Sequence, residues 1–537
     1  LFYKDTKAFI LKRHICKMKA NIKIALVLLS LSFSAQAQVL NFDVTWSEKI
    51  EAKKTVVSDM YNTGESNTFF TVNTAYKFGS STTVLEKYEN LKPVNEQELT
   101  IEVSRGDYLE QDVLELNNLL YAMEYNRTRE NISLKAQYIN QGDLSITNEK
   151  IDIYNFKLSK GRNKSYGEYR RAISNNEQRV AYIVEHPGDD DSKSVATVKV
   201  FDDEFELKWK SKITLSSSKE NTRLYSVDVS DQGMVHVLTK VYNEKKERER
   251  DERNYEFYLL TVNESGILSE EKLELKSNYI HDIELRVTEN GDIMCGGFYS
   301  KEGWTADGIF FMTLDGQTFD IKEYSIKEFE MDFLTSGLNE RQAAKKERKK
   351  DKGKEVGLTN VVFREIIQRE DGGAILVGEY VRVFTTTTTD ANGNTSTTTH
   401  YYYDDIYVIN IDPEGQIEWA KKIPKIQHSS NDGGFYSGFF SVVKDDKIHF
   451  LFNDHPDNAG EMDPQEITSY SRNLKYSSLM VVSVNSDGDY TREILVPADK
   501  KEGVRLRPKS CEQISKDEFI LFAMSKKYNK FATVKVK

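Results

Sequence analysis

A polar turn followed by a short apolar strand recurs along this chain, and that recurrence constrains its fold more than any other feature. The clearest copy is Glu370-Asp371-Gly372-Gly373-Ala374-Ile375-Leu376-Val377-Gly378. Others are Asp231-Gln232-Gly233-Met234-Val235, Glu289-Asn290-Gly291-Asp292-Ile293, Asp445-Asp446-Lys447-Ile448 and Lys516-Asp517-Glu518-Phe519. Weaker copies lie at Asn117-Asn118-Leu119, at Asn176-Glu177-Gln178-Arg179 and near Ser66-Asn67-Thr68. Asn-Gly and Asp-Gly between β-formers mark hairpins, because these residues accept the positive φ such turns need. The eight copies lie roughly 50 to 80 residues apart, the range of blade repeats with insertions.

A second pattern follows the first: an apolar strand, a turn, and a strand carrying Trp-x-x-Lys-Ile. Trp46, Trp209 and Trp419 occupy that one slot, as in Trp46-Ser47-Glu48-Lys49-Ile50 and Trp419-Ala420-Lys421-Lys422-Ile423. The turn before it recurs as Asp412-Pro413-Glu414-Gly415, Asn485-Ser486-Asp487-Gly488 and Asn263-Glu264-Ser265-Gly266. Each unit therefore reads as a four-stranded antiparallel meander. One such sheet cannot bury both faces alone; stacking the sheets radially buries them against neighbours and leaves only short edges, the β-propeller solution. The last copy supplies three strands and ends at Ala532-Thr533-Val534-Lys535-Val536, whereas Phe42-Asp43-Val44-Thr45-Trp46 matches a fourth strand with no preceding three. The expectation is an all-β propeller of eight blades, or seven without the weak first copy. Its N-terminal strand completes the C-terminal blade.

The segment from Asp371 to Lys422, with Ile423-Pro424-Lys425 and Asn431-Asp432-Gly433-Gly434 beyond it, resembles an uncharacterised family of secreted bacterial β-propeller repeat proteins of the Bacteroidetes type. The resemblance implies a propeller fold and export, and brings no activity, cofactor or site residue with it.

Export is also read from the residues. Met18 to Lys23 is basic, Ile24 to Phe33 is apolar, and Ala35-Gln36-Ala37 fits a cleavage site. The division expected is thus residues 1–17 as an over-extended start, 18–37 as a signal peptide and 38–537 as a single domain, placed in the periplasm or outside the cell. Beyond the signal, no apolar run reaches the ~18 residues of a membrane-spanning helix. The net charge of -11 argues against a nucleic-acid partner, which needs a basic footprint. Cys16 lies upstream of the expected start; Cys295 and Cys511 are expected as two buried free thiols, with a disulfide between them as the alternative.

Within a blade, the Asp-Gly turns join the first strand to the second and the Pro-Glu-Gly turns join the third to the fourth, all on one rim. The long irregular segments fall on the other rim: Asn243 to Asn254, Thr385 to His400 and Asn453 to Tyr470 between second and third strands, and residues 327–359 between blades 5 and 6. Loops on a rigid scaffold tend to carry function, so the loop-rich rim is the expected ligand or partner face. Lys345, Lys349 and Lys350 extend a helix begun near Phe329, either a basic arm for an anionic partner or a solvated tail. Thr385 to Thr399 reads as a protruding hairpin, able to pair with a partner strand or idle. Tyr401, Tyr402 and Tyr403 with Trp304 form an aromatic platform for sugars or peptides, or else pack the hairpin's base.

The densest set of oxygen ligands is Asn453, Asp454, His455, Asp457, Asn458, Glu461 and Asp463. Asp454, Asp457, Glu461 and Asp463 are the candidate Ca²⁺ ligands, although the EF-hand spacing is missing and acidic loops also serve solubility. Asp189-Asp190-Asp191 is a weaker acidic run. No other cofactor is suggested: the eight histidines form no H-x-x-x-H or H-E-x-x-H, and no G-x-S-x-G elbow, C-x-x-C pair or glycine-rich phosphate loop occurs. The leading expectation is a non-catalytic binding or scaffolding module for a protein or glycan of the cell envelope. The alternative is a hydrolase of polysaccharide or peptide at the mouth of the central channel, with carboxylates drawn from different blades. A third is a purely structural, self-associating role.

Overall fold

The computed structural model describes residues 42–51, 55–65, 67–77, 80–99, 108–128, 130–157, 169–186, 194–218, 220–250, 254–303, 305–444, 447–500, 503–525 and 528–537. The expected start and signal (1–37), Ser66, Asp189 to Asp191, Trp304, Asp445 and Asp446 lie outside the described residues. Two compact units are present. The larger is Val44–Val534; the described residues of the smaller are 42–43 and 535–537, and within it Lys537 Nζ lies 2.7 Å from Asp43 Oδ1.

Among the described residues the strands form eight antiparallel sheets, so the weak first copy is a blade and the count is eight rather than seven. Blade 1 spans Thr55–Tyr61 to Lys92–Glu98 and blade 2 Tyr108–Leu116 to Ile151–Lys157. Blades 3, 4 and 5 open on Tyr169–Ile173, Thr222–Val229 and Tyr279–Val287. Blade 6 consists of Val361–Gln368, Ala374–Thr389, Thr395–Ile411 and Ile417–Ser430, in that order across the sheet. Blade 7 runs from Phe440–Lys444 to Tyr490–Val496.

Blade 8 is the composite expected from the two chain ends. Tyr528–Val536 lies between Glu518–Met524 and Phe42–Trp46, and the first strand is broken into Arg505–Leu506 and Glu512–Gln513. Ser47 N–H donates to Phe531 O at 2.8 Å, Phe531 N–H donates to Ser47 Oγ at 3.0 Å, and Ile50 stands opposite Asn529.

Each sheet is apolar on both faces, as the consecutive apolar residues of its second and third strands require. In blade 6, Leu376, Ile409 and Ile411 pack toward Phe298 and Phe311 of blade 5, while Val377, Ile406 and Val408 pack toward Phe450 and Val482 of blade 7. Blade 8 meets blade 1 through Ile520, Phe522 and Phe531 against Val57 and Phe69. The first strands approach one another between blades 3 and 4, 4 and 5, and 5 and 6.

Side chains of the first strands, and Ser510 in the turn that interrupts the first strand of blade 8, tie six of the blades to the next. Tyr61 Oη donates to Val113 O (2.7 Å), and a guanidinium nitrogen of Arg170 to Leu224 O (3.2 Å). Asp228 accepts from Val287 N–H (2.7 Å), Asp282 from Phe363 N–H (2.9 Å) and Glu365 from Ser441 Oγ (2.6 Å). Ser510 Oγ of blade 8 donates to Val57 O of blade 1 at 3.2 Å. On the outer strands the recurrent tryptophans serve the same end: Trp209 Nε1 donates to Gly233 O and Trp419 Nε1 to Ser486 O, each in the next blade. Lys530 covers the ring of Trp46.

The segment between blades 5 and 6 departs from the expectation of one helix. It forms two, α1 (Met331–Thr335) and α2 (Glu340–Asp351). The break falls at Gly337, where φ is +79°, a conformation that costs glycine little. Asn339 then caps α2 reciprocally with Gln342, satisfying two otherwise orphaned N–H groups.

Candidate functional site

Blade 6 outgrows its neighbours on the loop-rich rim. Its first strand stops opposite Tyr380, yet the second and third strands stay paired from Val381↔Tyr403 to Thr389↔Thr395. The outer strand follows as far as His400↔Ser430. The threonine hairpin is therefore the tip of a three-stranded extension, turned at Asp390, whose carboxylate accepts from the backbone of Asn392 and Asn394. Its threonines are exposed except Thr398 and Thr399, which are partly buried, and β-branched residues hold such a ribbon extended.

At the base of the ribbon, register brings four rings together. Phe384 stacks on His400 (centroids 4.9 Å, planes 23° apart) and on Tyr402 (5.7 Å, 12°), and Tyr402 meets His428 at 4.2 Å. Arg382 lies over Phe384 at 4.6 Å, and Asp404 holds His428 Nε2 at 3.1 Å. The three tyrosines do not form one platform. Successive residues of a strand point to opposite faces, so Tyr402 joins the ring stack while Tyr401 and Tyr403 face the other way. Tyr403 is buried against Gly434, where an added Cβ would lie 2.8 Å from the ring.

Beneath the extension, a buried polar network joins blades 6, 7 and 8. Lys425 Nζ donates to Glu379 Oε1 (2.9 Å), Tyr403 O (2.8 Å) and Gln427 Oε1 (3.0 Å), and Arg364 binds the second oxygen of Glu379. Gln427 Nε2 donates to Asn453 O. Asn453 Nδ2 donates to Tyr436 O and Leu506 O, and its Oδ1 accepts from Leu506 N–H, each at 2.8 Å. Buried charges are costly unless paired and hydrogen-bonded, and here Lys425 and Glu379 are both.

A basic stripe adjoins this network. Arg505, Arg507 and Lys509 follow one another along the entry to blade 8, which is strand at Arg505–Leu506 and a 3-10 turn at Pro508–Ser510, and it is their ring contacts that group them. Each cation lies over a ring: Arg505 over Tyr436 (4.7 Å), Arg507 over Phe435 (4.6 Å) and Lys509 over Tyr403 (5.0 Å). Tyr436 and Phe435 come from Gly433-Gly434-Phe435-Tyr436-Ser437-Gly438, which links blades 6 and 7. The alternation Arg-x-Arg-x-Lys was visible in the sequence; its aromatic counterparts, about 70 residues upstream, were not.

The other expected residues are dispersed. Lys345, Lys349 and Lys350 are exposed on α2. Lys346 is half-buried and donates to Leu334 O; burial, then the charges of Lys422 and Lys349, push it down to about 8. Asp454 does not converge with Asp457, Glu461 and Asp463. It is buried, paired to Arg492 at 2.5 Å, and accepts from Asn458 and from His455 N–H. Among the described residues, no group of three or more His, Cys, Asp or Glu is placed to hold a metal ion. Cys295 and Cys511 are buried free thiols, each pushed up to about 12 chiefly by burial. Among the described residues no helix is long and apolar enough to cross a membrane.

The first strands carry carboxylates, several of which serve as the inter-blade ties described above. Near the tight-turn rim, burial and then Glu177 raise Glu115 to about 7; burial, then Glu115, Asp59 and Glu177, raise Glu512 to about 7. Two clefts also open on that rim: one of about 570 Å³ between blades 6 and 7, lined by Arg369, Asn410 and Trp419, and one of about 520 Å³ between blades 4 and 5, lined by His236, Asp292 and Lys322.

No protein-family model and no curated protein matches the sequence. Among solved structures, the chain is similar to the WD40 domain of SCAP from fission yeast, with 7% identity over 93% of this chain and 97% of that one, at a TM-score of 0.39. It is also similar to a protein of unknown function from Bacteroides caccae, with 12% identity over 67% and 94% of the two chains, at a TM-score of 0.27. The polysaccharide lyase Uly1 aligns with 10% identity over 91% and 99%, at a TM-score of 0.36. Likenesses at this level transfer no activity, and the assignment of eight propeller blades rests on the sheet order of the chain itself.

Proposed function

We propose that this chain is an exported, non-catalytic binding module that engages an envelope protein or glycan through the loop-rich rim of blades 6 to 8. The observation that supports this most is the stack of Phe384, His400, Tyr402 and His428 on the blade 6 extension. Those rings lie beyond the interfaces between blades, where packing would otherwise account for them. Aromatic rings offer large contact area at low entropic cost, which suits recognition. Export is supported by the charged, apolar and small-residue order of positions 18–37.

The test is retention of envelope extracts and immobilised polysaccharides on the purified protein. Phe384→Ala/Tyr402→Ala and a chain lacking 385–399 should lose retention while unfolding at the parent temperature within about 3 °C. Retention unchanged in both variants would remove the rim from consideration.

A second reading, a hydrolase working at the first strands, draws on Glu115 and Glu512, both raised into the range of a general acid at neutral pH. It requires turnover of a polysaccharide or peptide that Glu115→Gln or Glu512→Gln abolishes.

A further inference from the structure

The basic stripe of blade 8 differs from every other buried cation near it. Lys425 is paired with Glu379 and Arg492 with Asp454, and Lys422, buried beside Asp405, donates to Ser336 O. Arg505 and Arg507 are only 9% and 6% exposed, yet among the described residues neither guanidinium has a carboxylate within salt-bridge distance. The Nε of each is buried with no hydrogen-bond partner, as is that of Arg492, so the difference lies in the missing carboxylate. One nitrogen of Arg505 reaches Arg472 O at 3.1 Å; the Arg507 guanidinium has rings and the more distant Asp59 for company. Burial holds the Arg507 guanidinium below its usual range. A buried charge without a counter-ion is costly in general, and the fold that gives Lys425 and Arg492 a carboxylate gives Arg505 and Arg507 none within salt-bridge distance among the described residues.

What would repay that cost is an oxyanion. Guanidinium groups take planar carboxylates through paired N–H bonds, and such charge-assisted bonds are about twice as strong as neutral ones. The neighbouring surface narrows the ligand further. Phe435 is 44% exposed, with Arg507 over its ring. A pyranose can lay its C–H face on such a ring and direct a ring-borne carboxylate to the adjacent guanidinium; an aspartate or glutamate side chain has no ring face to offer. Lys509, exposed two residues along the stripe, stands ready for the next charge of a repeating acidic chain.

We infer that Arg505, Arg507 and Lys509, with Phe435 and Tyr436, form a binding site for the carboxylate of an acidic saccharide. The inference rests on the reading of the loop-rich rim as a binding face, and names the ligand class for a part of it separate from the ring stack.

The experiment uses the full chain and galacturonic acid oligomers as probe, with neutral galactose oligomers and a poly-glutamate peptide as comparators, followed by calorimetry at two salt concentrations. Galacturonate should bind and weaken with salt, the neutral oligomer should not bind, and Arg505→Gln and Arg507→Gln should each weaken binding at least tenfold. Lys516→Gln, which removes an exposed cation paired to Glu370 away from the stripe, should change it less than threefold. No galacturonate binding, equal binding by both arginine variants, or binding of poly-glutamate alone would each overturn the inference. Those failures leave hairpin-dependent retention untouched and so are separable from failure of the proposed function. A ligand-free check is independent of the probe: Arg507→Met should raise the thermal midpoint, whereas Arg492→Met, which strips Asp454 of its partner, should lower it. A fall of equal size in both would mean that the fold already satisfies Arg507.

Discussion

Lys425 and Glu379, from the fourth and second strands of blade 6, meet at 2.9 Å with both side chains shut off from solvent. The pair anchors the base of the blade 6 extension to the network that reaches blades 7 and 8. Removing one partner leaves the other buried and charged, which generally costs about 3–5 kcal/mol, whereas replacing both with apolar residues costs far less. Glu379→Leu should therefore destabilise the protein by about 3–5 kcal/mol in urea unfolding. Adding Lys425→Met should recover part of that loss, although Arg364 still loses its carboxylate in the double variant.

Asn453 joins blade 7 to blade 8 by two hydrogen bonds with the Leu506 backbone, and a third reaches Tyr436 O in the link between blades 6 and 7. Asn453→Ala leaves buried peptide groups without partners, at roughly 1–3 kcal/mol for each group that water cannot reach. The expected result is a loss of about 2–4 kcal/mol, with faster amide exchange at Leu506 than at Leu376 inside blade 6. Uniform acceleration at both amides would mean that the two blades are not joined at this point.

Glu115 and Glu512 are raised from 4.5 to about 7, mainly by burial. The folded protein then binds more protons than the unfolded chain between those values, so their contribution to stability is full below pH ~4.5 and is lost as pH rises through 7. His236 works in the opposite sense: burial depresses it to about 4, and stability is lost as pH falls from 6.5 to 4. The two effects separate by difference. Glu512→Gln should leave the thermal midpoint nearly unchanged at pH 5 and raise it at pH 8 relative to the parent. A midpoint difference that does not grow with pH would place Glu512 in water.

The ladder of turns and strands was legible because each turn announces itself in two or three residues, and because an unpaired fourth strand at one end matched a missing one at the other. The ring stack was partly legible. Once the hairpin turns at Asp390–Asn394, antiparallel register places Phe384 opposite His400, but His428 enters only through a third strand with a bulge between Asp404 and Ile406. The helix break at Gly337 could have been read from Ser336-Gly337-Leu338-Asn339, a glycine followed by a capping residue. Asp454 could not. Its partner Arg492 is two strands away, and composition alone made it look like one ligand among several acids. The absence of a partner for Arg507 is the least legible feature of all, since a sequence displays residues and not the acids that fail to reach them.

The claim that the loop-rich rim is the working face can be tested by placing a photo-crosslinking residue at Thr387 on the blade 6 hairpin and, separately, at Asp371 on the tight-turn rim, then irradiating intact cells. The account predicts covalent capture of an envelope protein or glycan from position 387 and none from position 371. Capture from position 371 with none from position 387 would contradict it.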